Sequence, residues 1–129
     1  MKIKKQTSNS KVTLGKCGEE KAAAYLLSKG YELLCRNFRC RMGEVDIIAK
    51  DVRKGGTIVF CEVKTRNNCA FGLPCESVTM HKLKKIKRMA DIYAKINKWT
   101  ANKDFRIDVI EILIMENKAY VRHLENVLS

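Results

Sequence analysis

The chain has 129 residues and carries a formal charge of +12 at pH 7, from 26 Lys and Arg against 14 Asp and Glu. This length allows one domain around one core, since a chain of roughly 150 residues buries about 68–70% of its unfolded surface. A hydrophobic content of 46% with one proline, Pro74, excludes a disordered or low-complexity chain, and the charge calls for a polyanion such as DNA, RNA or an anionic membrane surface.

Residues 1–12 are polar and Lys-rich and read as a basic flexible arm ahead of a folded domain over 13–129. Polar residues Gln6 to Ser10 follow the basic start where a signal peptide would need an apolar run, so the protein is expected in the cytoplasm. From Leu14 to Ser28 the residues Ala22, Ala23, Leu26 and Leu27 recur at helical spacing, and Gly30 supplies a stop. Strands are expected at Tyr31 to Arg39, Glu44 to Lys50 and Thr57 to Lys64, divided by turn signals at Met42-Gly43 and Lys54-Gly55-Gly56. Such short connections favour an antiparallel meander. A loop from Asn67 to Pro74 leads to a second helix, about Thr79 to Asn97, with Leu83, Ile86, Ala90 and Tyr93 facing inward. Phe105 to Met115 and Ala119 to Leu124 complete the order αβββαββ, an α/β domain with a mixed sheet flanked by helices. The longest apolar stretch in this region, Val109 to Met115, is broken by Glu111 and falls far short of the ~20 residues that span a bilayer. Six cysteines without a C-x-x-C pair, and two widely separated histidines, argue for reduced thiols over a zinc site or disulfide scaffold.

Several charges break the apolar pattern. A projection at 100° per residue sets Glu19 within the arc of Ala22, Ala23 and Leu26, where a carboxylate costs several kcal/mol unless it is paired, neutralised or bound to a cation. A core-facing lysine or a helix-start cap would also account for it. Along the second strand, alternation groups Glu44, Asp46 and Ile48 on one face and Val45, Ile47 and Ala49 on the other. The third strand is apolar on both faces, as a central strand is, yet it ends in Glu62 and Lys64 on the face begun by Ile58 and Phe60. If the two strands are neighbours, Asp46 and Glu62 meet across the ladder. The result is either an internal ion-pair cluster or a metal site.

The run Gly18-Glu19, Gly30-Tyr31, Arg36-Asn37-Phe38-Arg39-Cys40-Arg41, Gly43-Glu44-Val45-Asp46-Ile47-Ile48-Ala49, Phe60-Cys61-Glu62-Val63-Lys64-Thr65-Arg66, Phe71-Gly72, Val78-Thr79 with Lys82, and Arg106-Ile107-Asp108-Val109 resembles the YraN family, bacterial family 0102. That family is placed in the restriction-endonuclease-like PD-(D/E)xK superfamily and is similar to archaeal Holliday-junction resolvases. The resemblance implies a nuclease fold and a site in which Asp46 matches the first motif acid, Glu62 and Lys64 the E-x-K, and Glu19 the first-helix glutamate of the resolvases. Val45 stands where the superfamily usually has proline.

On this reading the catalytic set is Glu19, Asp46, Glu62 and Lys64, with magnesium or manganese held by Asp46 and Glu62, the Val63 carbonyl as a further ligand and Glu19 at a second ion. Lys64 orients the attacking water or stabilises the negatively charged transition state, and Glu44 is a weaker candidate. Nucleic-acid contacts are assigned to Arg36, Arg39 and Arg41 beside the second strand, to Arg66, and to Lys82, Lys84, Lys85, Lys87 and Arg88 on the second helix. Tyr93 and Trp99 are read as packing groups, and Arg106 with Asp108 as a structural pair outside the catalytic set. DNA is favoured over RNA as partner, no membrane is involved, and analogy with resolvases suggests a homodimer. The rivals are a non-catalytic DNA- or RNA-binding module that keeps the nuclease fold and a structural RNA-associated protein, though the latter leaves the acidic constellation without a purpose.

Overall fold

A computed structural model of the protein describes residues 10–67, 78–99 and 104–128. Its elements are α1 (Ser10–Ser28), β1 (Tyr31–Cys40), β2 (Gly43–Asp51), β3 (Thr57–Asn67), α2 (Met80–Ile96), β4 (Phe105–Met115) and β5 (Lys118–Leu124), the expected αβββαββ order. The anticipated basic arm lies outside the described residues as far as residue 9, as does most of the loop before α2. Among the described residues, no helix is long and apolar enough to cross a membrane.

The five strands pair in sequence order, antiparallel for β1–β2, β2–β3 and β4–β5 and parallel for β3–β4. β3 is central, and its alternate residues build two separate cores. Val59, Cys61 and Val63 pack beneath α1 with Ala22, Ala23 and Leu26, whereas Ile58 and Phe60 pack beneath α2 with Leu83, Ile86, Met89 and Ala90. The sheet is thus a middle layer with one helix on each face, and both faces of β3 are dry, as its two-sided apolar sequence requires. Leu27, expected on the inner stripe of α1, is 56% exposed, whereas Ala22, Ala23 and Leu26 face the sheet.

Two details depart from simple expectation. β3 runs three residues past Lys64, since β4 continues alongside it as far as the pairing of Asn67 with Ile114. In β2, Val45 and Ile48 both belong to the α2-side core while Ile47 and Ala49 belong to the α1 side, so the assignment of Val45, Ile47 and Ala49 to a single face does not hold. Alternation fails between Val45 and Ile48, at the point where β2 leaves its ladder with β3 after Ile47↔Cys61 and stays paired with β1 alone.

Aromatic packing closes the α2 side. Phe60 lies edge-on to Tyr93 at 5.7 Å and to Phe105 at 5.8 Å between ring centroids, and Tyr93 likewise to Trp99 at 5.5 Å. Tyr93 and Trp99 are packing groups here, as their spacing suggested. Among the described cysteines, Cys17, Cys35, Cys40 and Cys61 are free thiols.

Candidate functional site

Where the β2–β3 ladder ends, one more step of the same register would set Asp46 opposite Glu62. The backbone ladder is replaced there by a side chain: Val63 N–H donates to Asp46 Oδ2 at 2.8 Å. This contact ties the aspartate to β3 just beyond the last pair of the ladder. Glu62 is buried, with 4% exposure, and lies one residue from Val63 on the central strand. Lys64 follows two residues later, its ammonium 3.8 Å from Glu62 Oε2.

Glu19 reaches this end of the sheet because α1 approaches β3 at a glycine. A Cβ on Gly18 would fall 1.7 Å from Thr65 Oγ1 and 2.9 Å from Thr65 Cβ, so the helix can come this close only without a side chain there. The adjacent Glu19 is partly buried. Its carboxylate is tied by Asn37, whose side-chain amide, in the orientation its neighbours require, donates to Glu19 Oε1 at 3.3 Å and to Glu44 Oε2 at 2.7 Å. Asn37 has φ 56° in the middle of β1, a left-handed conformation that asparagine tolerates better than most residues.

The electrostatics of this end are those of crowded acids. Asp46 is pushed up to about 7, by burial first and by the charges of Glu62, Glu19 and Glu44, against the opposing pull of the Val63 N–H. Glu19 is also raised, by burial and then by Glu44, with Arg36 and Asn37 working the other way. Lys64 is lowered by burial and by the neighbouring Lys82. Asp46, Glu62 and Glu19 therefore share one electrostatic neighbourhood. Among the described residues, however, no three His, Cys, Asp or Glu side chains form a group able to hold one ion, and Asn37 binds Glu19 alongside Glu44.

Two basic residues assigned to nucleic-acid contact have partners inside the fold. Lys82 Nζ is 2.5 Å from Glu62 Oε2, and that bond together with the Glu62 charge raises its pKa despite the opposing effect of burial. Arg66 pairs with the fully buried Glu111 at 3.4 Å, and Arg122 Nε reaches the same carboxylate at 2.5 Å. The remaining residues lie nearer the surface. Arg36 contacts Glu20 at 3.2 Å, and Arg39 contacts Glu44 at 3.6 Å while 75% exposed in its side chain. Arg41, Lys84, Lys87 and Arg88 are exposed and Lys85 is half-buried. Sequence reasoning missed the attachment of Lys82 to Glu62 and the bridging role of Asn37. The motif spacing held no signal for the first; an asparagine amid strand formers was a faint signal for the second.

A second polar cluster lies at the other end of the β2–β3 ladder. Arg106 donates to Asp108 at 3.0 Å, to Asp51 at 3.0 Å and to the Tyr31 hydroxyl at 2.7 Å. Asp108 also contacts His123 Nε2 at 2.7 Å and accepts from Asn126 N–H at 2.9 Å. Asp51 and Asp108 are fully buried, but both carboxyls are held below their usual range because guanidinium and other donors outweigh the burial penalty, Asp51 at about 2. Arg106 and Asp108 thus form part of a matched structural network.

The family model described as "Uncharacterised protein family UPF0102" matches residues 18–112. A UPF0102 protein of Caldicellulosiruptor saccharolyticus is 50% identical over 103 residues, covering 80% of this chain and 84% of that protein. One from Clostridium novyi is 45% identical over 115 residues, covering 88% and 92%. Among solved structures, a repair endonuclease from Pyrococcus abyssi aligns with 91% of this chain at 15% identity and a TM-score of 0.43, and this chain spans 42% of that one. A complex of EndoMS with double-stranded DNA aligns with 75% of this chain and 35% of its own at 18% identity and a TM-score of 0.39. The chain belongs to the UPF0102 family.

Proposed function

We propose that this protein is a magnesium- or manganese-dependent endonuclease that hydrolyses phosphodiester bonds in DNA, with branched or structured DNA as its substrate class. The observation that carries the reading is Asp46, a carboxylate fixed by the Val63 N–H at the open end of the β2–β3 ladder and crowded by Glu62, Glu19 and Glu44. Like charges gathered at the end of a buried strand favour a counter-charge from solution.

The donors suit a hard divalent cation. Magnesium is commonly held by one or two carboxylates with substrate phosphate and water, so Asp46 and Glu62 suffice without a three-carboxylate cage. A cation held there neutralises charge on the phosphoryl oxygens and supports formation of the nucleophile. Asp46 and Glu62 would hold it, and Glu19, steadied by Asn37, would add negative potential from α1. Lys64 contributes an ammonium on the same strand, 3.8 Å from Glu62, that orients water or offsets transition-state charge. The exposed Arg39, Arg41, Lys84, Lys87 and Arg88 supply phosphate contacts, in keeping with the +12 charge. A homodimer is the assembly that the resemblance to resolvases suggests.

The test is a divalent-cation-dependent cleavage assay on branched, single-stranded, flapped and duplex DNA with RNA controls. Asp46→Asn, Glu62→Gln and Lys64→Ala should each lose about 10²–10⁴-fold in cleavage, the range for one positioned catalytic group, while DNA binding persists. Cleavage by Glu62→Gln at the wild-type rate, or in excess chelator, would defeat the proposal. A second reading, a DNA- or RNA-binding module without chemistry, draws on the Lys82 contact, which already neutralises Glu62 from within. It predicts salt-sensitive binding with no cleavage of any substrate in the panel.

A further inference from the structure

Lys82 differs from the other lysines of its helix. Lys84 and Lys87 are exposed to solvent, and Lys85 is half-buried, whereas Lys82 sends its ammonium to Glu62 Oε2 at 2.5 Å. Its backbone is fixed as well: it lies in the first turn of α2, and its N–H donates to the Thr79 hydroxyl at 3.2 Å, the N-terminal cap of the helix. Glu62 is 95% buried in its side chain, so it needs a partner within the fold. Lys64, 3.8 Å from the same oxygen, is the weaker of its two ammonium contacts.

A carboxylate oxygen that accepts a short charge-assisted bond from an ammonium is poorly placed to bind a cation at the same time. We propose that Lys82 is a built-in counter-ion of Glu62 that a divalent cation must displace, so that α2 sets the affinity of the acidic site for metal. This rests on the reading of Asp46 and Glu62 as metal ligands. Lys82 is then a positioning residue, and its side chain, 40% exposed on a flexible stem, has an outward path to solvent once it leaves Glu62.

The proposal is tested by titrating the full-length protein with manganese alone and reading free manganese by electron paramagnetic resonance. Lys82→Met should bind manganese about tenfold more tightly than wild type. Lys95→Met, which removes the same charge from an exposed position on the same helix, should bind as wild type does. Lys82→Arg, which keeps a cation within reach of Glu62, should bind no more tightly than wild type. If Lys82→Met does not fold, the proposal stands or falls on the arginine variant together with Lys82→Gln, which is neutral but keeps a hydrogen-bond donor and should tighten binding. Equal or weaker binding in the neutral variants overturns the counter-ion role while leaving the nuclease reading intact. An equal gain in Lys95→Met also overturns it, because bulk charge would then be the cause. Tighter binding in the neutral variants without cleavage of any substrate retains the counter-ion and sinks the nuclease reading. Absence of manganese binding in every variant sinks both.

Discussion

The two polar clusters at opposite ends of the β2–β3 ladder contain similar residues in opposite electrostatic states. At one end, Asp51 and Asp108 are fully buried yet held below the usual carboxylate range, because the Arg106 and Arg53 guanidinium groups, a hydrogen bond with His123 and a backbone N–H outweigh the burial penalty. At the other, Asp46 is less exposed to donors and pushed up to about 7, by burial first and then by acidic neighbours that one N–H cannot offset. Burial alone therefore does not separate the two kinds of carboxylate. What separates them is whether the fold provides the counter-charge or leaves part of it to solution.

The largest expected effect comes from breaking the matched cluster. Asp108→Ala leaves Arg106 and His123 without their shared carboxylate in the interior, and should cost about 3–5 kcal/mol in urea unfolding, the range for removing one partner of a buried pair. A loss below about 1 kcal/mol would mean that the network is not what holds this end of the sheet together.

Next in size is the pH dependence of the crowded cluster, measured in chelator. The folded pKa of Asp46 lies above the unfolded value of 3.8, so the folded state binds more protons and stability falls as pH rises through the window from about 4 to 7. The slope from one such group is at most about 1.4 kcal/mol per pH unit. Asp46→Asn should flatten this fall and match or exceed wild-type stability at pH 8. Asp51 and Asp108 have the opposite sign: their contribution is full above about pH 4 and lost as pH falls below it, toward about 2 for Asp51. Urea midpoints across pH should therefore show two separate limbs, with the upper one made shallower in Asp46→Asn and the lower one left as it is.

A smaller effect sharpens the comparison at Asn37. Asn37→Gly relieves the left-handed backbone while deleting the bridge between Glu19 and Glu44; Asn37→Ala deletes the bridge and strains the backbone. The alanine variant should be less stable than the glycine variant by about 1 kcal/mol, the cost of a Cβ in that conformation. Equal midpoints would place the strain elsewhere. The smallest effect per residue concerns the surface: neutralising Lys84, Lys85 and Lys87 should make the salt dependence of DNA binding shallower, by about 0.9 in the log–log slope for each phosphate that the variant no longer neutralises.

Much of this arrangement is legible in the sequence. The order of elements, the antiparallel meander of β1 to β3 and the central position of β3 follow from turn residues and from apolar runs that are one-sided or two-sided. The bounds of β4 coincide with the strand expected at Phe105–Met115. Asp46 and Glu62 come together because the register is short and local. The features that escaped depend on contacts distant in sequence. Lys82 resembles any other lysine in a basic helix until α2 is laid against β3, and Glu111 looks like an interruption of an apolar run until Arg66 and Arg122 reach it. The face of Val45 was missed because a periodicity argument assumes an unbroken ladder, and the ladder ends just before the residue that matters most.

The contact of Gly18 with Thr65 makes one position on α1 a lever. Turning the threonine side chain would relieve the contact with its hydroxyl but leave its Cβ 2.9 Å from any added methyl, so an alanine there has to tilt the helix. Glu19, the next residue, would be carried with it, whereas Asp46, Glu62 and the lysines sit on elements that need not follow. Gly18→Ala is thus a substitution that displaces Glu19 while it changes no charge and removes no acid. As a laboratory control it would separate what the acidic residues contribute by geometry from what they contribute by charge alone, a distinction that no carboxylate-to-amide substitution can make.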